Sequence, residues 1–172
     1  MTTTARAPDP VRTRVCAALL HDDRLALIRR DRPDGVQHSL PGGLVEPGED
    51  PATALRRELL EELGLDLDDL PTRPRLRFAQ DQATSRPGET ALFCRRHLVF
   101  TARLPDHLHH AVAAEPDDPG RAPMVWLPLA EAAGLHLYPA VGPVLDQADR
   151  CAAATGTPLL LAPMNATSYR WR

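Results

Sequence analysis

One segment constrains the fold of this chain more than any other: residues 43–65, GLVEPGEDPATALRRELLEELGL, join a turn to a helix rich in glutamate. Because successive helical residues are about 100° apart, Glu58, Glu61 and Glu62 are expected on one side of this helix. Leucines at helical spacing fill the adjoining arc, so the carboxylates are expected at the edge of the buried face. Burial at that edge makes their mutual repulsion more costly.

The position of these glutamates within the helix is also unfavourable. They lie in its last two turns, where the helix dipole disfavours an exposed anion by about 0.3 to 1 kcal/mol. Glu58 and Glu62 are four residues apart, and like charges at that spacing repel each other. A bound divalent cation would turn these repulsions into attractions. Because carboxylate oxygens suit hard cations, the pattern predicts Mg²⁺, with Mn²⁺ as a possible substitute.

The sequence marks both ends of this helix. The side chain of Asp50 can accept hydrogen bonds from free backbone amides, and Pro51 loses no hydrogen bond at the first helical position. Gly64 favours the left-handed conformation that ends many helices. The pattern therefore predicts a helix that begins at Pro51 and ends before Gly64.

The rest of the chain alternates apolar runs with turn signals. Strands are predicted over residues 14–20, 25–29, 75–82, 90–102 and 124–127, and helices over residues 128–133 and 140–154. Residues 104–123 are rich in Pro, Asp and His, which indicates an irregular segment. We expect a flexible N-terminal segment over residues 1–13, one domain over residues 14–154, and a C-terminal extension over residues 155–172 that packs on the domain or is frayed.

Composition excludes several classes of function. The net charge is −3, which does not indicate the basic patch or stripe that nucleic-acid-binding proteins usually carry. No stretch is long and apolar enough to predict a membrane span or a secretory signal, and we expect a cytoplasmic protein. Cys16, Cys94 and Cys151 are odd in number and far apart, which argues against a disulfide framework or a zinc site.

The glutamate-rich segment resembles the Nudix box of the Nudix hydrolase family, G-x5-E-x7-R-E-U-x-E-E-x-G-U, where U is an aliphatic residue. Every fixed position of the box is present, namely Gly43, Glu49, Arg57, Glu58, Leu59, Glu61, Glu62, Gly64 and Leu65. The resemblance implies an α/β fold, a Nudix-type α/β/α sandwich with a mixed β-sheet. It also implies hydrolysis of a diphosphate bond in a nucleoside diphosphate that is linked to another group X.

The same resemblance implies roles for the residues of the box. Glu58, Glu61 and Glu62 are expected to bind the metal, with Glu49 and the Gly43 carbonyl as further oxygen ligands. Arg57 is expected to pair with a glutamate of the box, with Glu49 as the first candidate, and so to orient the ligands. The general base varies within the family, which leaves as candidates Glu58, Glu89, Glu115, Asp117 and Asp118.

Substrate contacts are less well defined by the sequence. Arg29, Arg30 and Arg32 lie where a strand enters a loop, and their guanidinium groups suit phosphate; Arg95 and Arg96 are weaker candidates. Many relatives carry Trp at the position of His38. A proline that marks many ADP-ribose hydrolases is replaced here by Gln80.

Alternatives to this hydrolase remain open. A Nudix domain can bind a nucleotide without cleaving it, and this non-catalytic sensor is the main alternative. An isoprenoid diphosphate isomerase would need a dedicated cysteine context, which is not found around Cys16 or Cys94. The expected partner is a small nucleotide or nucleotide derivative, and a homodimer is possible.

Overall fold

The strands form one mixed sheet. The structure, a computed structural model, describes residues 11–86, 88–89, 91–112, 122–147 and 156–170. Within these ranges nine strands are hydrogen-bonded into this sheet. They are β1 (Arg12–His21), β2 (Arg24–Arg32), β3 (Gly35–Ser39), β4 (Arg75–Ser85), β5 (Leu92–Arg103), β6 (Met124–Pro128), β7 (Leu137–Tyr138), β8 (Leu159–Leu160) and β9 (Met164–Asn165).

Short helical elements connect these strands. They are α1 (Pro51–Leu63), α2 (Asp106–Val112), α3 (Leu129–Ala133) and two 3₁₀ turns, Leu67–Asp69 and Gly142–Gln147. No helix in the described ranges has the length and apolar character that crossing a membrane requires.

The centre of the sheet contains a split that positions the glutamate-rich helix. Strand β1 is parallel to β5 along its length but pairs with β2 at only two positions, beside their connecting turn. Beyond that point the loop before α1 occupies the edge of β1. There the amide of Val15 donates to the Gly43 carbonyl and the amide of Ala17 donates to the Pro41 carbonyl, each at 2.9 Å. The loop is therefore fixed to the most buried strand of the fold.

Both faces of the sheet are covered, as the predicted α/β/α sandwich requires. Alternate residues of β1 point to opposite faces, so Val15, Ala17 and Leu19 pack with α1, whereas Cys16 and Ala18 pack with α3 and its neighbours. Leu55 and Leu59 of α1 are buried in the first of these cores. The predicted fold class is confirmed.

The predicted ends of α1 are also confirmed. The side chain of Asp50 accepts hydrogen bonds from the amides of Ala52 and Thr53, at 2.9 and 3.2 Å, and Pro51 is the first helical residue. Gly64 adopts a left-handed conformation with φ 68°, and its amide donates to the Leu60 carbonyl. Local sequence signals thus determine which residues α1 contains.

Two predictions about the second half of the chain are wrong or only partly tested. Residues 106–112 are helical rather than irregular, because Leu108 and Val112, four residues apart, pack into the core. The helix predicted over residues 140–154 is a 3₁₀ turn at Gly142–Gln147 in the described part of the chain, where Pro143 lacks an amide donor. The remainder of that prediction, residues 148–154, lies outside the described residues.

The C-terminal segment contributes to the sheet edge. Strands β8 and β9 both pair in parallel with β4, and the side chains of Met164 and Tyr169 are buried. Strand β1 begins at Arg12. The proposed boundaries at residues 13/14 and 154/155 stay predictions.

Candidate active site

Two glutamates of α1 contact the same loop. The amide of Gly42 donates a 2.7 Å hydrogen bond to Oε2 of Glu62. The carboxylate of Glu58 lies so close to Gly43 that a Cβ atom at this position would collide with it. Glu61 is more exposed, with 62% of its side chain accessible. Adjacent glycines thus allow two carboxylates to approach one stretch of backbone.

Arg57 connects the acidic side chains to each other. Its Nε and Nη2 donate to the two oxygens of Glu49 at 3.1 and 2.9 Å, so the predicted pair of Arg57 and Glu49 is present. Nη1 donates to Oε1 of Glu58 at 2.9 Å, and Nη2 also donates to the Leu44 carbonyl at 3.0 Å. The hydrogen bonds from Arg57 hold the pKa of Glu49 below its ordinary value. One guanidinium therefore fixes two carboxylates and the loop.

Glu62 carries a charge in an unfavourable position. Burial raises its pKa above the ordinary value, although the hydrogen bond from Gly42 and the charges of Arg14 and Arg30 oppose this shift. The neighbouring charge of Glu58 raises the pKa further. A cation bound beside Glu62 would offset the cost of its burial.

The chemistry of these groups suits a hard divalent cation, since every candidate ligand is an oxygen atom. The Gly43 carbonyl accepts the amide of Val15 and retains a second lone pair. Across the described ranges, however, no three His, Cys, Asp or Glu side chains converge into a ready metal site. The carboxylates of Glu58 and Glu62 are directed instead toward Arg57 and the Gly42 amide.

The candidate general bases lie in different parts of the chain. Glu58 is in the cluster already described, and Glu89 is exposed in the loop between β4 and β5. Glu115, Asp117 and Asp118 lie outside the described residues.

A cavity of about 340 Å³ lies next to the loop, between the two parts of the split sheet. It is connected to the loop through Arg14, whose Nη2 donates to the carbonyls of Gly42 and Leu40 at 2.6 and 3.3 Å. The cavity is lined by Arg14, Arg30, Arg32, Gln37, Ser39, Leu44, Arg86, Phe93, Arg95 and Tyr138.

The predicted substrate arginines divide between this cavity and the surface. Arg30 and Arg32 line the cavity, and Nη1 of Arg30 donates to Oγ of Ser39 at 2.6 Å. Arg29 is exposed and pairs with Asp31 at 3.1 Å. His38, at the position where many relatives carry Trp, is half-buried on β3, and burial lowers its pKa.

Sequence reasoning missed Arg14, Arg86 and Tyr138. They come from β1, from the residue after β4 and from β7, which are brought together only by long-range strand pairing. A cationic residue at the start of the apolar run in β1 was the available signal for Arg14. Arg95, a weaker candidate in the sequence, lines the cavity, whereas Arg96 pairs with Asp81 at 2.7 Å.

A buried polar network supports the wall of the cavity. The hydroxyl of Tyr138 donates to Oε1 of Gln82 at 3.1 Å, and Nε2 of His97 lies 2.9 Å from the same oxygen. The amide nitrogen of Gln82 donates to Thr84, so its oxygen is the acceptor and His97 carries its proton on Nε2. Burial lowers the pKa of His97 to about 3. His97 is therefore a neutral donor that helps to position Tyr138.

We expect this network to make stability depend on pH. The pKa of His97 is 6.5 in the unfolded chain and about 3 in the folded protein. Between these values the unfolded state binds a proton that the folded state does not bind. The free energy of unfolding is therefore highest above pH 6.5 and decreases as the pH falls toward 3. The wild type should lose up to about 1.4 kcal/mol of unfolding free energy per pH unit through this group. The His97→Gln variant should lack this component when urea unfolding is measured between pH 4 and pH 7. His107→Gln, an exposed substitution on α2, is the control, and equal slopes for wild type and His97→Gln would contradict the prediction.

Comparison with known proteins relates this geometry to a family. The sequence matches the family model described as the NUDIX domain over residues 10–147. No curated protein matches the chain. A MutT NUDIX hydrolase from Burkholderia pseudomallei is 29% identical with a TM-score of 0.52, over 70% of this chain and 85% of that one.

Two solved structures of lower identity share the fold. A MutT protein from Bacillus halodurans is 15% identical with a TM-score of 0.64, over 93% of this chain and 94% of that one. A MutT protein from Methanosarcina mazei Go1 is 19% identical with a TM-score of 0.59, over 87% of this chain and 99% of that one. The overall fold is thus shared by proteins whose sequences differ widely from this one.

Proposed function

The chain belongs to the Nudix hydrolase family, and we propose that it uses a divalent metal ion to hydrolyse the diphosphate bond of a nucleoside diphosphate linked to another group. Members of this family generally act on small nucleotide derivatives with the help of divalent metal ions. The proposal for this chain depends mainly on one observation, the approach of Glu58 and Glu62 to the adjacent glycines of one loop.

We assign the metal ligands to the acidic face of α1. Glu58, Glu61 and Glu62 would hold the ion, and the Gly43 carbonyl has a lone pair to contribute. Mg²⁺ is the proposed ion and Mn²⁺ a substitute, because all of these ligands are oxygens. Glu49 would position Arg57, and its Oε1, which accepts a single hydrogen bond, has a lone pair left for the ion.

Groups of the protein itself would hold the ligand carboxylates in position before the ion and the substrate bind. Arg57 restrains Glu58, so that a ligand carboxylate loses less conformational freedom when the ion binds. The Gly42 amide keeps one oxygen of Glu62 in place. When bound, the ion would neutralise phosphate charge and lower the pKa of water. Arg30 and Arg32 of the cavity would contact the rest of the substrate.

A phosphate-release panel tests the proposal. Purified protein is incubated with nucleoside triphosphates, oxidised nucleoside triphosphates, nucleotide sugars and dinucleotides, with Mg²⁺, with Mn²⁺ or with EDTA, and the products are resolved by chromatography. We expect hydrolysis of at least one class at a phosphoanhydride bond, with the activity lost in EDTA. Undiminished activity in EDTA would contradict the metal requirement. Saturable nucleotide binding without hydrolysis would instead identify the non-catalytic sensor.

A further inference from the structure

The cavity beside α1 has a strongly cationic lining. Five of its lining residues are arginines, which come from β1, β2, β5 and the neighbourhood of β4. The other lining residues are uncharged, and within the described ranges no carboxylate lines the cavity. In a chain with a net charge of −3, this concentration of positive charge is a local feature.

Three of these arginines donate to neutral acceptors. Arg14 donates to backbone carbonyls, Arg30 to the hydroxyl of Ser39, and Nη1 of Arg95 to the Cys94 carbonyl at 2.8 Å. Nη1 of Arg14 is buried and has no hydrogen-bond partner among the described residues. Among the residues that the structure describes, no carboxylate is hydrogen-bonded to Arg14, Arg30 or Arg95.

Several arginines outside the cavity form ion pairs. Arg29, Arg56, Arg57 and Arg96 each donate to at least one Asp or Glu side chain. Arg14, Arg30 and Arg95 differ from these four in donating to neutral groups.

Burial and the proximity of like charges raise the free energy of the cavity. Burial lowers the pKa of Arg30, and the charges of Arg14 and Arg32 lower it further against the opposing effect of Glu62. Burial likewise lowers the pKa of Arg95, with further contributions from Arg12 and Arg86. A bound anion would relieve both the repulsion and the loss of solvation.

Aromatic rings orient the guanidinium groups of this cavity. The Cζ atoms of Arg86 and Arg95 each lie 4.0 Å from the centroid of the Phe93 ring. The Cζ atom of Arg14 lies 5.4 Å from the centroid of the Tyr138 ring. A stacked guanidinium keeps its planar set of donors available for phosphate oxygens.

We infer that this cavity binds a phosphate group of the substrate other than the diphosphate held at the carboxylates of α1. The substrate is then a nucleotide derivative with at least one additional phosphate, and not a nucleotide sugar whose second group is neutral. The additional phosphate has two possible sources, a longer phosphate chain or a phosphate monoester on the sugar. This inference rests on the proposed function.

Anion binding is tested first, by a measurement that needs no turnover. Calorimetry with inorganic pyrophosphate in EDTA should detect one saturable site in the wild type. Arg95→Gln and Arg30→Gln should each weaken binding about tenfold, as expected for a lost hydrogen bond between charged groups. Arg75→Gln, an exposed substitution at the far end of β4, should have no effect. Absence of binding in the wild type, or equal weakening by Arg75→Gln, would overturn the inference.

Hydrolysis of matched compounds then identifies the source of the phosphate. NADP is compared with NAD to test a sugar monoester, and diadenosine tetraphosphate with diadenosine diphosphate to test a longer chain. The compound with the additional phosphate should have a kcat/KM about tenfold higher in at least one pair, and Arg95→Gln should reduce that ratio. Equal kcat/KM within both pairs would refute the inference and leave the proposed function intact. If the protein hydrolyses neither these compounds nor those of the earlier panel, the proposed function is contradicted. The pyrophosphate measurement would still show whether the cavity binds a phosphate group.

Discussion

Replacement of Glu62 by glutamine should lower kcat/KM on the order of a thousandfold, because a metal ion contributes several kcal/mol of charge stabilisation that depends on its anionic ligands. The substitution changes one oxygen to an amide and keeps an oxygen that can accept the hydrogen bond from the Gly42 amide. The loss of activity should therefore come from the loss of charge, and not from a change in shape. Steady-state kinetics with the best substrate of the panel, at saturating Mg²⁺, provide the measurement.

The same variant should be folded and at least as stable as the wild type without metal. Burial disfavours the charged form of Glu62, as its raised pKa indicates, and glutamine avoids that cost. Thermal unfolding in EDTA measures this effect, and titration with Mn²⁺ should show weaker binding. Glu131→Gln, an exposed substitution on α3, serves as the charge-matched control. Full activity in Glu62→Gln would refute the assignment of this ligand.

Features of the chain that depend on local sequence could be predicted without a structure. The ends of α1 follow from Asp50, Pro51 and Gly64, each of which acts on backbone groups within a few residues. The pairing of Arg57 with Glu49 follows from a motif in which both positions are fixed, and the structure contains it. Apolar runs likewise located β1 and β2, because buried strands are continuous in sequence.

Features that depend on distant parts of the chain could not be predicted in this way. Arg14 and Arg95 line one cavity because β1 pairs with β5 along its length and separates from β2. Neither arrangement of these strands can be inferred from a local sequence pattern. Helix α2 was missed for another reason. Its Pro- and His-rich surroundings indicate a loop, and only tertiary packing of Leu108 and Val112 makes it a helix.

Replacement of Gly42 by alanine should mainly reduce stability, whereas replacement of Gly43 by alanine should mainly reduce activity. Gly42 has φ 131°, and a Cβ atom there would lie 2.7 Å from Cα of Cys16 in the central strand. Neither backbone can move easily, so Gly42→Ala should cost about 3 kcal/mol or more of unfolding free energy. At Gly43 the three atoms nearest to an added Cβ all belong to the carboxylate of Glu58, the mobile end of a side chain. Gly43→Ala should therefore cost less than about 1 kcal/mol of stability and lower kcat/KM roughly a hundredfold.

A double-mutant cycle distinguishes displacement of Glu58 from a general disturbance of the loop. If Gly43→Ala acts by moving this carboxylate, it should have little further effect on kcat/KM in a Glu58→Gln background, because the charge it displaces is already absent. Urea unfolding of each variant separates activity losses from stability losses. Additive losses of activity in the cycle would show that Gly43 acts independently of Glu58. A stable Gly42→Ala variant would show that the contact of the loop with β1 is not rigid and does not fix the site.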